Sequence, residues 1–157
     1  MNTSPRALAL ALVSLSITGC AVGPADAEST ASAVESQPFV ARPGSYDFRR
    51  VVVGRSALTE VTLVNTAEAN ADITAVRSIP PGPCVPPDPY VPPDPDAPAA
   101  AFRARAIAPC VRPGGTSELQ VQFTPARVGE AGAQIAVDYL VRGAPYTLCV
   151  PVAGVGG

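Results

Sequence analysis

The most regular feature of this chain is an alternation of apolar and polar side chains in its second half. Within Thr116–Phe123, apolar side chains at positions 119, 121 and 123 alternate with polar ones at 118, 120 and 122. A period of two places alternate side chains on opposite faces of a β-strand, one facing a core and the other facing water. This stretch is therefore predicted to be a strand of an antiparallel sheet.

Similar alternations, separated by Gly, Pro and Asn-Thr, recur from residue 45 onward, and no stretch has a convincing helical period. About seven short strands at this spacing predict an all-β fold, an immunoglobulin-like antiparallel β-sandwich. The predicted strands are Tyr46–Val53, Ala57–Val64, Ala71–Ile79, Ala101–Ile107, Thr116–Phe123, Gln134–Val141 and Tyr146–Val152.

Two of these strands are predicted to have an open edge. Arg103 and Arg105 alternate with small or apolar residues in Ala101–Ile107, as expected for an edge strand with one wet face. Pro151 has no backbone N–H to donate, so the last strand should lack a partner on that side.

The N-terminus has the parts of an export signal. Arg6 precedes Ala7–Ile17, an apolar run of signal-peptide length that is too short to span a membrane. The segment from Ile17 to Cys20 resembles the lipobox of bacterial lipoproteins. This resemblance implies cleavage before Cys20 and acylation of its thiol and new amine, with palmitate among the acyl chains expected. A plain secretory signal with a chance cysteine is the alternative.

Lipid attachment would place the protein in the bacterial cell envelope. Each buried methylene contributes about 0.8 kcal/mol, and stable anchoring needs more than one acyl chain. Ala21 departs from the aspartate that resembles an inner-membrane retention signal, so the outer membrane is favoured. The predicted organisation is a signal peptide at 1–19, the lipidated Cys20 with a flexible linker at 20–44, and the sandwich at 45–157.

Motifs in the predicted sandwich resemble the immunoglobulin-like domain of abnormal-spindle/Hydin or choice-of-anchor D type. That family is similar in fold to major sperm protein and PapD-like sandwiches, and its motifs specify fold rather than function. The residues that carry the resemblance are Phe48, Val51, Val53, Gly54, Val61 to Thr66, Phe123, Thr124, Pro125, Gly129, Val152, Gly154 and Gly156.

Composition excludes most catalytic machinery. The chain has no His, Lys or Trp, and every basic side chain is an arginine, which keeps its proton at any useful pH. Triads that use His or Lys are therefore excluded, and a carboxylate-pair hydrolase is the enzyme class that remains. The net charge of −2 comes without a basic stripe, which argues against a nucleic-acid partner.

A proline-rich insertion at 80–98 separates the third and fourth predicted strands. Its proline density favours polyproline II, and it carries Asp88, Tyr90 and Asp94 as candidate binding residues. A rigid connector with no binding role is the alternative. A calcium site that uses these aspartates together with Asp96 is disfavoured because proline-locked spacing opposes wrapping around the ion.

Three cysteines remain in the predicted domain, and the envelope is an oxidising compartment. Cys84 and Cys110 flank the insertion, so a disulfide between them is the preferred pairing, worth about 3–4 kcal/mol in the chain-entropy model. A bond between Cys110 and Cys149 is the next choice. Either pairing leaves one thiol, free or bonded to another chain.

Arg49, Arg50 and Arg55 cluster around the first predicted strand and its turn. They are candidates for a carboxylate or phosphate site, with a solvated face as the alternative.

The sequence thus predicts a non-catalytic, lipid-anchored binding module with a protein partner in the envelope and no cofactor or metal. A structural accessory subunit of an envelope complex is the second hypothesis, and a carboxylate-dependent hydrolase is the least favoured.

Overall fold

The computed structural model describes residues 37–84 and 97–157. Nine strands and one short 3-10 helix, Pro98–Ala101, account for most of these residues. The strands are β1 Phe39–Arg42, β2 Tyr46–Val51, β3 Ala57–Asn65, β4 Ala71–Ile79, β5 Phe102–Ala106, β6 Cys110–Val111, β7 Thr116–Phe123, β8 Gly129–Val141 and β9 Ala144–Gly156.

The strands form two sheets that face each other, which confirms the predicted sandwich. The first sheet has the order β1-β3-β7-β5, and the second has the order β2-β9-β8-β4-β6. Neighbouring strands are antiparallel except for β2, which runs parallel to β9.

The core contains the inward rows that the alternation predicted. Val61, Leu119 and Val137 are fully buried between the sheets. At one end of the core the rings of Phe102 and Phe123 stack with centroids 4.6 Å apart. Gly154 permits this packing, because a β-carbon at that position would lie 2.5 Å from the Phe123 ring.

The predicted flexible linker is wrong at its C-terminal end, because residues 39–42 form β1 and pair with β3. Phe39 is 1% exposed, and its ring lies 4.5 Å from that of Tyr139. One aromatic side chain therefore brings a stretch without apolar periodicity into the core. Strand β6, with two residues, was also not predicted.

Both predicted edges are confirmed. Strand β5 pairs only with β7 and ends the first sheet. In the second sheet β2 pairs with β9 only from Val152 onward. The first half of β9, including Pro151, therefore has no strand partner among the described residues on the side away from β8.

Cys84 forms its disulfide with Cys149, at a Cα separation of 5.9 Å. Both predicted pairings, Cys84 with Cys110 and Cys110 with Cys149, are therefore wrong. Those pairings left over Cys149 or Cys84, free or bonded to another chain, and this is also wrong because the two residues bond to each other. None of the described cysteines is free.

Strand order explains why Cys110 takes part in neither predicted bond. Cys110 lies in β6 opposite Asp72, and Cys149 lies three strands away in β9. Three strand spacings amount to about 14 Å, about twice the longest Cα separation that a disulfide spans. Cys84 lies beside Cys149, so it is also out of reach of Cys110.

Asn65 joins three loops at one end of the sandwich and is completely buried. Its side-chain amide donates to the carbonyls of Ala69 at 2.8 Å and Val111 at 2.9 Å, and its side-chain oxygen accepts from Ala67 N–H at 3.0 Å. Its backbone exchanges hydrogen bonds with the loop at 114–115. These contacts explain why an Asn follows the apolar run of β3.

We expect Asn65→Ala to lower the free energy of unfolding by about 3 kcal/mol or more, because it leaves buried backbone groups without partners. Asn70→Ala is the matched control: Asn70 is half-buried in the same turn, and its removal should cost less than about 0.5 kcal/mol. Denaturant unfolding measures both changes. Equal costs for the two variants would contradict the role assigned to Asn65.

The paired substitution Cys84→Ser with Cys149→Ser should lower the free energy of unfolding by about 4 kcal/mol, because the disulfide closes a loop with a sequence separation of 65. Non-reducing peptide mapping of the unaltered protein should yield the Cys84 and Cys149 peptides joined. Recovery of either peptide bonded to that of Cys110 would show that the strand order is wrong.

Candidate interaction surfaces

The buried polar side chains of the described residues stabilise loops. Asn65 and Ser117 are the two buried polar residues of the described domain. Ser117 Oγ donates to the carbonyl of Ala108 and accepts from its N–H, both at 3.2 Å. Each of these side chains binds backbone groups, so neither is available to a substrate.

Tyr139 is the one described residue whose titration is clearly perturbed. Burial raises the pKa of its phenol to about 12, and the nearby backbone of Phe39 offsets part of this rise. No described group completes a well-aligned hydrogen bond with the hydroxyl. A phenol that stays protonated inside the core cannot act as a base near neutral pH.

Asp138 lies on the outer face of the second sheet and is neutralised there. Its carboxylate accepts from Arg77 at 2.5 Å and from the Thr147 hydroxyl at 2.8 Å. This is the one ion pair within residues 37–84 and 97–157. The same residues contain no cluster of three His, Cys, Asp or Glu side chains suited to a metal, and no helix of a length and hydropathy suited to crossing a bilayer.

Several predicted site residues lie outside the described residues: Cys20, Asp88, Tyr90 and Asp94. The flanks of the insertion are described, and they show where it leaves and rejoins the domain. Its first residues cross the outer face of β8, where Gln134 donates to the carbonyl of Gly82 at 2.5 Å, and end at the disulfide on β9. It returns through the 3-10 helix, where the Ser78 hydroxyl donates to the carbonyl of Ala99 at 2.8 Å.

The open edge of β9 is poor in hydrogen-bond donors. Arg142 and Gly143 have positive φ angles and form a two-residue turn, which makes 141 and 144 a hydrogen-bonded pair. Residues 145, 147, 149 and 151 therefore direct their backbone groups toward the open side. Because Pro145 and Pro151 lack an N–H, this edge resists the addition of another strand.

The outer face of the first sheet carries a shallow depression of about 360 Å³. Its polar side chains bind one another: Arg105 donates to Gln120 at 2.9 Å, and Gln120 donates to Glu60 at 3.2 Å. Leu58, Arg103, Ala104 and Gln122 also line it, and Gln122 donates to the Ser56 hydroxyl at 2.9 Å. A surface whose polar groups satisfy each other offers few unpaired groups to a ligand.

Two loops meet at one end of the sandwich, and we call residues 52–56 and 124–128 the distal loop end. The N–H of Gly54 donates to the carbonyl of Pro125 at 2.9 Å, and the hydroxyls of Ser56 and Thr124 lie 2.7 Å apart. A small depression of about 150 Å³ separates the 124–128 loop from the 3-10 helix.

Arg50 and Arg55, predicted as part of a candidate anion site, lie at or beside the distal loop end. Arg49 differs, because its N–H donates to the Asp47 carboxylate at 2.7 Å in a local turn. Val52 and Val53 were predicted to lie inside a strand and not at a surface, whereas β2 ends at Val51. Arg127 and Val128 were not predicted as site residues, because their position depends on which loops converge.

Solved structures resemble this fold at low sequence identity. The ASH/PapD-like domain of human CEP192 has a TM-score of 0.54 and 15% identity, over 85% of this chain and 98% of that one. A protein of unknown function from Porphyromonas gingivalis W83 has a TM-score of 0.53 and 15% identity, over 74% of this chain and 46% of that one. The VesB protease of Vibrio cholerae has a TM-score of 0.51 and 8% identity, over 76% of this chain and 32% of that one.

This chain therefore spans about half of the second protein and a third of the third. No protein-family profile matches the sequence, and no curated protein matches it either. At these identities the likeness shows the fold alone. The described domain is an immunoglobulin-like β-sandwich, similar in fold to the ASH/PapD-like domain of human CEP192.

Proposed function

We propose that this protein is a lipid-anchored, non-catalytic binding module of the bacterial cell envelope, attached to the outer membrane through Cys20. The observation that carries the proposal is the placement of the two ends of the domain. The chain enters next to Phe39, which pairs with Asn65 at the end of β3, whereas the distal loop end precedes Ala57 at the start of β3. In this proposal the point of membrane attachment and the contact surface thus lie at opposite ends of the domain.

The dimensions suit this arrangement. Sixteen residues lie between Cys20 and Gln37. A chain of that length that behaved as a random coil would have an average span of roughly 22 Å. The long hairpin of β8 and β9 has 13 residues in each strand, which corresponds to about 40 Å. A domain attached at its N-terminal end would therefore hold the distal loop end several tens of ångströms from the membrane.

Binding by surface contact also fits the chemistry of the described residues. The buried polar side chains bind backbone groups, and the half-buried carboxylate of Asp138 is held by Arg77. The insertion adds a second candidate surface, on which Asp88, Tyr90 and Asp94 would meet a protein partner. The Cys84–Cys149 disulfide links the start of the insertion covalently to β9, which would fix the position of that end of the surface.

The anchor is tested by mass spectrometry of the N-terminal peptide from the full chain produced in bacteria. We expect a peptide that begins at Cys20 and carries acyl chains, and a mature protein that partitions into detergent. Cys20→Ser should accumulate unprocessed precursor because the thiol that accepts the lipid is gone. Cys84→Ser is the matched control and should be processed normally.

A Cys20 peptide with an unmodified thiol would contradict the anchor. So would Cys20 in a disulfide, because a thioether and a disulfide at one sulfur are mutually exclusive.

A further inference from the structure

The distal loop end carries an unusual share of the exposed apolar surface. Six large apolar side chains are exposed among the described residues, and three of them are Val52 at 62%, Val53 at 37% and Val128 at 77%. The other three are distributed over the first sheet and its loops. Neighbouring exposed apolar residues are more informative than isolated ones, because they mark contact surfaces.

Strand pairing brings these valines together. Gly156 in β9 pairs with Val51 on one side and with Gly129 on the other. Val52 and Val128 adjoin those two partners, so their backbones lie about two strand spacings, or 10 Å, apart. Between them the chain is glycine, and Gly157 N–H donates to the carbonyl of Val51 at 3.0 Å. The Arg50 side chain lies against Gly157, and Pro125 and the Arg127 backbone cover Gly156. The valines therefore flank a strip that is lined by these residues.

Three arginines surround this strip and have no ion-pair partner among the described residues: Arg50, Arg55 and Arg127. Glu130 lines the small depression beside the 3-10 helix together with Arg127. At the opposite end of the sandwich, strand pairing places the two acids Glu68 and Asp72 near the two arginines Arg112 and Arg142. The described residues carry ten arginines and seven side-chain carboxylates, and around the strip three arginines stand against one glutamate.

We propose that the distal loop end docks an acidic segment of a partner protein in which aliphatic side chains lie between carboxylates. Guanidinium groups bind carboxylates with two parallel hydrogen bonds, and the valines would cover the aliphatic side chains. This inference rests on the proposed binding function and names its surface and the chemistry of its partner. A protein is favoured over a lipid surface because this end lies opposite the N-terminal entry of the chain.

The test is photo-cross-linking in bacterial cells that produce the full chain. A photo-reactive residue replaces Val52 in one strain and Leu58 in the control strain, because both side chains are 62% exposed. We expect an adduct from position 52 but not from position 58. Mass spectrometry of the adduct should identify a peptide of another protein that is rich in Asp or Glu.

Charge reversal then tests the recognition chemistry. Arg55→Glu together with Arg127→Glu should reduce the adduct about tenfold or more, since the loss of close charge pairs at an interface is worth at least one factor of ten. Arg42→Glu with Arg112→Glu, on β1 and near the opposite end, should leave the yield unchanged. The unfolding midpoints of both variants are measured to check that they fold.

Several results would overturn the proposal: no adduct at position 52, equal adducts at both positions, or a yield insensitive to charge reversal. An adduct with lipid, with a second copy of this chain, or with its own residues 85–96 would also overturn it. Processing at Cys20 is measured in the same cells, so a failed anchor and a failed docking surface are read separately.

Discussion

The exclusion of water from between the two sheets is the constraint on which the rest of this structure depends. Alternate side chains of β3, β7, β8 and β9 face inward, and the most inward of them are completely buried. Burial of a large aliphatic or aromatic side chain contributes about 1.5–3 kcal/mol, so these rows supply most of the favourable free energy of folding. The polar groups that enter the core, such as Asn65, are satisfied by backbone groups. Function is therefore left to the outer faces, the edges and the two ends.

These remaining surfaces differ in how many unpaired polar groups and exposed apolar side chains they offer to another molecule. The open edge of β9 lacks donors at Pro145 and Pro151, and the outer face of the first sheet binds its own polar groups. The distal loop end combines exposed valines with arginines that form no ion pair among residues 37–84 and 97–157. This combination of side chains, rather than the size of the surface, distinguishes the distal loop end as a contact surface.

Much of the fold could be predicted because alternation is a local property. The bounds of β4 and β7 coincide with the predicted strands, and the inward rows of β8 and β9 are as expected. Strand β1 could not be predicted, because its burial depends on Phe39 meeting Tyr139 across the sandwich. The disulfide could not be predicted either, since Cys84 and Cys110 are near in sequence but separated by the strand order. The exposure of the valines at the distal loop end could not be predicted, because it depends on where β2 stops pairing with β9.

The central claim is that the chain enters at one end of the sandwich and presents its contact surface at the other. A distance measured in solution between spin labels at positions 37 and 128, introduced as non-cysteine residues that leave the native cysteines intact, tests it most directly. Strand lengths predict a separation of about 30–40 Å. A separation below about 20 Å would place both positions at the same end and contradict the account.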